Sequence, residues 1–175
     1  MIDLISKKLA PTGILRVGIN MSNFLLVSGV NSSGLPKGVS PDLGERIAKE
    51  LNVPHKLVQY KRPGELADAV NKNQWDIGNI AFETKRAEMI DFTNSYVNID
   101  ANFLVRKIDN FKSNEDVSKA KVKIAVAERS AYDLWLSENF KDIELIRASS
   151  IQNSHILFND RKVNVLAGLK PKLIE

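Results

Sequence analysis

Ser40-Pro41-Asp42-Leu43-Gly44-Glu45-Arg46-Ile47-Ala48-Lys49-Glu50-Leu51-Asn52-Val53-Pro54-His55-Lys56-Leu57-Val58-Gln59-Tyr60 is the stretch that decides how this chain is read. A hydroxyl residue placed to cap, a proline at the first helical position and an acid in the first turn mark a helix start at Ser40-Pro41-Asp42. Leu43, Ile47 and Leu51 recur at i, i+4 and i+8, with Glu45, Arg46, Lys49 and Glu50 between them, so the helix is amphipathic. Asn52 and Pro54 end it, and His55 to Tyr60 alternates as a strand. Just upstream, Ile14-Leu15-Arg16-Val17-Gly18-Ile19 is a β-rich run behind the turn Pro11-Thr12-Gly13. Strand, crossover helix, strand is the unit from which parallel sheets are built.

Working outward, the rhythm repeats. Pro63 to Asn73 reads as a helix with Leu66, Ala69 and Val70 inward, and Trp75 to Ile80 as a buried strand. A polar turn, Glu83 to Arg86, leads to an extended run from Val97 to Val105. A second α/β rhythm then begins. Lys121 to Ala127 is a strand, and Ser130 caps a helix whose inner face is Leu134, Trp135 or Leu136, and Phe140. Ile143 to Ala148 is a strand, Ser149 or Ser150 opens a helix through Ile151, His155 and Phe158, and Val163 to Leu166 is a final strand. The expected organisation is α/β in two lobes, residues 1–104 and residues 105–175.

Composition narrows the chemistry. A chain of 175 residues is long enough to bury roughly 70% of its unfolded surface. Apolar content of 43% and charged content of 26% exclude disorder and fibre. The net charge of +4 is thin and spread over both halves, so no nucleic-acid partner is expected. There is no cysteine, which excludes disulfides and thiolate chemistry, and only His55 and His155 are available as imidazoles. No Walker A sequence, dinucleotide fingerprint, nucleophile elbow or carboxylate metal loop occurs, so no cofactor, metal site or catalytic residue is expected. Met1 to Ala10 carries an acid at position 3 and lacks an apolar core, unlike a signal peptide, and no window is apolar enough to span a membrane.

Three strand ends stand out. Arg86 follows Asp76 by ten residues, placing a guanidinium beside a strand end and the start of a short helix, where a carboxylate can be gripped. The plainer role for Arg86 is an ion pair with Glu83 or Glu88. Ser130 stands between a strand and a helix, so its hydroxyl and the N–H groups of Ala131 and Tyr132 can hold an anion, or Ser130 is an ordinary N-cap. Asn20 and Phe24 follow the first strand, where open parallel sheets take their ligands, although Phe24 also suits the core.

Several blocks, taken in order, resemble the extracellular solute-binding proteins of family 3, the amino-acid-binding components of ABC importers. They are Gly13 to Asn20, Gly38 to Leu43 with Ile47 to Val53, Trp75-Asp76-Ile77-Gly78 with Arg86 to Thr93 and Tyr96, Val122 to Val126 with Ser130 to Tyr132, and Val163 to Gly168. The resemblance implies a type II periplasmic-binding-protein fold, two α/β lobes joined by a hinge, with the second lobe and return segment incomplete, because family members continue beyond Glu175. An apolar sheet edge, covered by a second copy, would accompany such a shortened chain. The implied role is to bind a small amino acid or related carboxylate in the periplasm, without catalysis, and to deliver it to an ABC permease in the membrane, as a monomer or weak dimer. By the same resemblance, Arg86 clamps the ligand carboxylate with Ser130, Ala131 and Tyr132. Asn20, Phe24 and Phe82 line the site, and Asn79 and Ala81 contact the amino group. The sequence departs from the family at Arg129-Ser130, where Gly-Thr is usual, and near Gly168-Leu169, where an acid is usual. Alternative roles are a dehydratase acting on a cyclohexadienyl acid, with Glu83 as its acid, and the ligand-binding domain of a receptor.

Overall fold

A computed structural model describes residues 2–175, without the side chain of Ile2. The part of the N-terminal reading that falls on Met1 lies outside the described residues. The chain forms two compact units, Met1–Asp91 and Phe92–Glu175.

In the first unit, α1 (Ile2–Leu9) precedes β1 (Leu15–Asn20), and a short hairpin of β2 (Gly29–Val30) and β3 (Pro36–Lys37) leads into α2 (Val39–Glu50). Then come β4 (His55–Tyr60), α3 (Pro63–Asp68), β5 (Ile77–Asn79) and α4 (Thr84–Ala87). The sheet runs β4-β1-β5, all parallel. Its centre is β1, because Leu15, Val17 and Ile19 are completely buried on one face. They pack with Ala48, Ile47 and Leu51 of the α2 side, so α2 covers that face. On the other face Gly18 lies under Leu66 and Trp75, and a Cβ there would stand 2.4 Å from the Leu66 side chain. Trp75 is fixed in turn by its indole N–H, which donates to the Leu66 carbonyl at 2.9 Å.

Two local readings are corrected. Ser40 does not cap α2. The helix begins two residues earlier than expected, at Val39 with Gly38 before it, and the buried Ser40 donates its N–H to the Leu26 carbonyl at 3.0 Å. The chain arrives from the β2–β3 hairpin at φ 123° on Gly38, a conformation open to glycine, and a Cβ there would meet the Leu26 carbonyl oxygen at 2.7 Å. The helix expected over Pro63 to Asn73 stops at Asp68 and tightens into a 3₁₀ turn at Val70–Lys72, closed by Asn73 at φ 50°.

In the second unit the elements are β6 (Ala101–Val105), α5 (Asn114–Lys119), β7 (Lys123–Ala127), α6 (Ala131–Asn139), β8 (Glu144–Ala148), α7 (Ile151–Asn159), β9 (Val165–Leu169) and α8 (Lys170–Leu173). The sheet runs β6-β9-β7-β8, parallel except for β6. Ile124 and Val126 of β7 face Leu136 of α6 and Val117 of α5, while Ala125 on the opposite face meets Phe158 of α7. Leu136 is the buried option on α6, and Trp135 is exposed, tilted against Phe140 at 5.7 Å. A sequence division after residue 104 would cut β6. All five of its residues pair with β9, from Ala101–Leu169 to Val105–Val165, and the structure divides between Asp91 and Phe92.

The two units share a three-strand βαβαβ core, to which the second adds antiparallel β6. In the first, β1-α2-β4 extends the sheet to one side and β4-α3-β5 returns across β1 to the other. In the second, β7-α6-β8 and β8-α7-β9 do the same about β7. Each sheet therefore has a topological switch point at the carboxyl end of its middle strand, between β1 and β5 and between β7 and β9, the place where open α/β sheets bind ligands. No helix among the described residues is long and apolar enough to cross a membrane.

Candidate functional site

The first switch point is built from the ends of β1 and β5. Asn20 ends β1, and its carboxamide oxygen accepts from Ser22, from the N–H at 3.2 Å and the hydroxyl at 2.8 Å, so it holds the turn that carries Phe24. Phe24 is half-buried. Asn79 ends β5 opposite Ile19 and is buried, its amide donating to the Ser40 carbonyl at 3.3 Å. That bond ties β5 to the start of α2. Just beyond, Ala81 and Phe82 are exposed, Phe82 with two-thirds of its surface accessible.

Arg86 and Glu83 lie buried within this turn, at 4% and 6% exposure. Glu83 is the N-cap of α4, and one carboxylate oxygen, Oε2, accepts the Arg86 N–H at 3.3 Å. The Arg86 guanidinium donates through Nη1 to the Ala81 carbonyl at 2.9 Å. The second carboxylate oxygen, Oε1, is buried without a hydrogen-bond partner among the described residues. Such an atom costs about 1–3 kcal/mol unless something supplies a donor.

The second switch point is the β7–α6 turn. Ser130 is buried and caps α6, its hydroxyl accepting the Asp133 N–H at 3.1 Å. Arg129 before it has φ 58°, the left-handed conformation for which glycine is favoured, so the Arg129-Ser130 departure from Gly-Thr falls where the backbone demands most of a side-chain-bearing residue. Asp133 is 1% exposed, and its carboxylate reaches back to the Arg129 N–H at 2.7 Å while taking the Arg147 Nε at 3.0 Å. Ala131 and Tyr132 open the helix, and the Tyr132 ring packs into the core with Leu136 and Val126. Burial pushes the Tyr132 phenol above its ordinary value, against the lowering effect of hydrogen bonds to the Ser130 side chain and the Ala127 backbone.

The expected residues thus fall into two groups. Asn20, Phe24, Asn79, Ala81, Phe82 and Arg86 belong to the first unit, and Ser130, Ala131 and Tyr132 to the second.

Residues 15–135 match the family described as Bacterial extracellular solute-binding proteins, family 3, which is more than half of the chain. The chain belongs to that family. Among solved structures it is similar to an ancestral amino acid-binding protein described as a precursor of cyclohexadienyl dehydratase, with TM-score 0.74, 22% identity, and coverage of 95% of this chain and 74% of that one. It is also similar to the cysteine-binding protein from Campylobacter jejuni, with TM-score 0.72, 22% identity, and coverage of 95% and 66%. A third is holo ArgBP from T. maritima, with TM-score 0.70, 20% identity, and coverage of 94% and 73%. The chain therefore spans about two thirds to three quarters of these relatives' length, and the shared fold is the type II periplasmic-binding-protein fold. No curated protein matches the chain.

As a family 3 solute-binding protein, the chain carries two features that the strand-end reading missed. Glu83 was read as a partner of Arg86 and as a candidate acid, but not as the buried cap of α4 with an unpaired oxygen among the described residues. Asp133 was signalled by the spacing Ser130-x-x-Asp133, which is a capping-box pattern. Its partner Arg147 lies in the next strand, and no local pattern announces that contact.

Proposed function

We propose that this protein is the substrate-binding component of an ABC importer, binding a small amino acid or related carboxylate in the periplasm without transforming it. The observation that carries the reading is Arg86. It is a buried guanidinium in α4, the short helix after β5, on a turn capped by Glu83 and bonded to the Ala81 carbonyl. A buried arginine at such a point suits a ligand carboxylate, which accepts a bidentate fork. Asn20, Phe24, Asn79 and Ala81 form the rest of the proposed site in this unit. Ser130, Ala131 and Tyr132 join it by the family's pattern, as donors at the start of α6. The membrane partner is an ABC permease, and the protein works as a monomer or weak dimer. Neighbours named for arginine and cysteine binding support the amino-acid class.

Thermal shift and isothermal titration against the proteinogenic L-amino acids and small organic acids test the proposal. Binding of at least one compound is expected, with a loss of about a hundredfold in Arg86→Ala, the scale of a desolvated charged contact. Absence of binding across both sets, or binding indifferent to Arg86→Ala, overturns it.

A dehydratase reading is favoured by one observation. Glu83 keeps an unpaired carboxyl oxygen beside Arg86, as a general acid would require. Turnover of a cyclohexadienyl acid, lost in Glu83→Gln, would replace binding by catalysis. Binding of such an acid without turnover removes this reading.

A further inference from the structure

We infer that Arg147, acting through Asp133, is a positioning residue for the ligand-facing turn of the second unit. This rests on the binding function proposed above. Asp133 is the hub of a compact network. Its Oδ2 accepts the Arg129 N–H at 2.7 Å, and its Oδ1 accepts Arg147 Nε at 3.0 Å. Arg147 also donates through Nη2 to the Ser137 hydroxyl at 2.8 Å, and that hydroxyl donates to the Asp133 carbonyl at 2.7 Å. The Asp133 side chain is 2% exposed and the Arg147 side chain 46%. A buried carboxylate thus has its charge met by a guanidinium that stands half in solvent.

The geometry departs from an ordinary capping box in an instructive way. There the acid at the third helical position reaches the N–H of the capping residue. Here the Ser130 N–H is already used, closing a turn onto the Ala127 carbonyl at 3.2 Å. Asp133 therefore reaches one residue further back, to Arg129, whose left-handed backbone is costly for any residue with a Cβ. The charged bond from Asp133 offsets that strain, because hydrogen bonds to an ionised acceptor are roughly twice as strong as neutral ones. Without Arg147 the carboxylate is a buried charge without its partner, and it relaxes toward water by letting go of the turn. Arg129 then leaves its conformation, and Ser130 no longer presents the first N–H groups of α6 in their present direction. Arg147 reaches the proposed ligand only through this chain of contacts.

The test compares Arg147→Ala, Arg147→Lys and Asp133→Asn with wild type by two readouts. The first is the amide proton of Arg129 in a ¹⁵N–¹H spectrum, which a short bond to a carboxylate holds downfield and which needs no ligand. The second is the Kd for whichever proteinogenic L-amino acid or small organic acid the wild type binds. The amide is expected to move upfield in Arg147→Ala and Asp133→Asn. Binding is expected to weaken about tenfold in both, and to recover in part in Arg147→Lys, whose ammonium meets Asp133 without reaching Ser137. If Arg147→Ala lowers Tm but leaves the amide in place and Kd within about twofold, Arg147 only staples α6 to β8 and the inference is wrong. If the wild type binds neither a proteinogenic L-amino acid nor a small organic acid, the function proposed above fails, and the Arg129 amide still decides the positioning role.

Discussion

Each unit joins an aspartate with a nearly inaccessible side chain to an arginine, and the two pairs sit at opposite ends of their sheets. In the first unit Arg16, near the start of β1, forks onto Asp76, just before β5, with Nε to Oδ2 at 3.0 Å and Nη2 to Oδ1 at 2.6 Å. The Arg16 backbone N–H adds a third bond to Oδ2 at 2.8 Å, and Nη2 also reaches the Asn73 carboxamide at 2.7 Å. The hydrogen bond to Asp76 holds the Arg16 guanidinium above its ordinary pKa, against the desolvation that opposes it. In the second unit Arg147, near the end of β8, meets Asp133 in the first turn of α6. The same chemistry thus closes the amino ends of one sheet and braces the carboxyl end of the other. Only the carboxyl ends carry the candidate ligand residues, so the first pair is tied to stability and the second to the site.

Arg16→Ala should produce the largest change that this contrast predicts. The Arg16 and Asp76 side chains are 17% and 5% exposed, so the substitution strands a carboxylate that, among the described residues, keeps one N–H bond. A loss of about 3 kcal/mol is expected, measured by urea denaturation in a Trp135→Phe background so that Trp75 reports on the first unit. The Kd for an amino-acid ligand should stay within about twofold, because the pair lies at the far end of the sheet. A large loss of affinity with intact stability would reverse the assignment of the two pairs.

The two helix-starting turns differ in a second way. Ser130 caps α6 with its hydroxyl hydrogen-bonded, whereas Glu83 caps α4 with one oxygen engaged and one orphaned. A fold selected only for stability would not retain that orphan. Glu83→Thr keeps a capping oxygen for the Arg86 N–H and removes the buried atom without a donor. A gain of about 1 kcal/mol is expected, with weaker ligand binding if the orphan oxygen serves the site. A loss of stability would mean that the carboxylate charge itself holds Arg86 in place.

Much of this arrangement was legible in the sequence, and the limits are physical. The strand His55 to Tyr60 was read with its bounds intact, because alternation behind Pro54 has no helical competitor. The cap Ser130 was legible on local grounds, while the cap of α7 was left between Ser149 and Ser150, and the structure uses Ser150. The inner face of α2 was half-read. Leu43, Ile47 and Leu51 marked it, but it also meets β1 at Gly44, where a Cβ would stand 2.6 Å from the Val17 side chain. Hydrophobic periodicity is blind to a glycine that packs by being small. Arg86 was placed at the right strand end, while its burial depends on a turn conformation that no periodicity encodes. The Asp133–Arg147 contact was illegible, because side chains on successive elements meet only once the sheet order is known.

The smallest effect concerns the end of the second unit opposed to neither pair, where His155 on α7 is half-buried. Burial lowers its pKa from the ordinary value, the Lys172 charge lowers it further, and the Glu175 carboxylate opposes both. The folded state therefore disfavours imidazolium, and the unfolded chain binds the proton more readily. Stability from this group is fully present above the unfolded value near pH ~6.5 and is lost as pH falls through the lower folded value. Thermal melts between about pH 5 and 7.5 should show Tm falling with acid, and His155→Gln should flatten part of that slope. The sign is opposite to what a histidine stabilised by a carboxylate would give, so a Tm that rises with acid in the wild type relative to His155→Gln would mean that Glu175, not burial and Lys172, governs this imidazole. Should the two slopes coincide, His155 contributes nothing to the acid sensitivity, and the balance of burial and Lys172 against Glu175 leaves this imidazole unperturbed in effect.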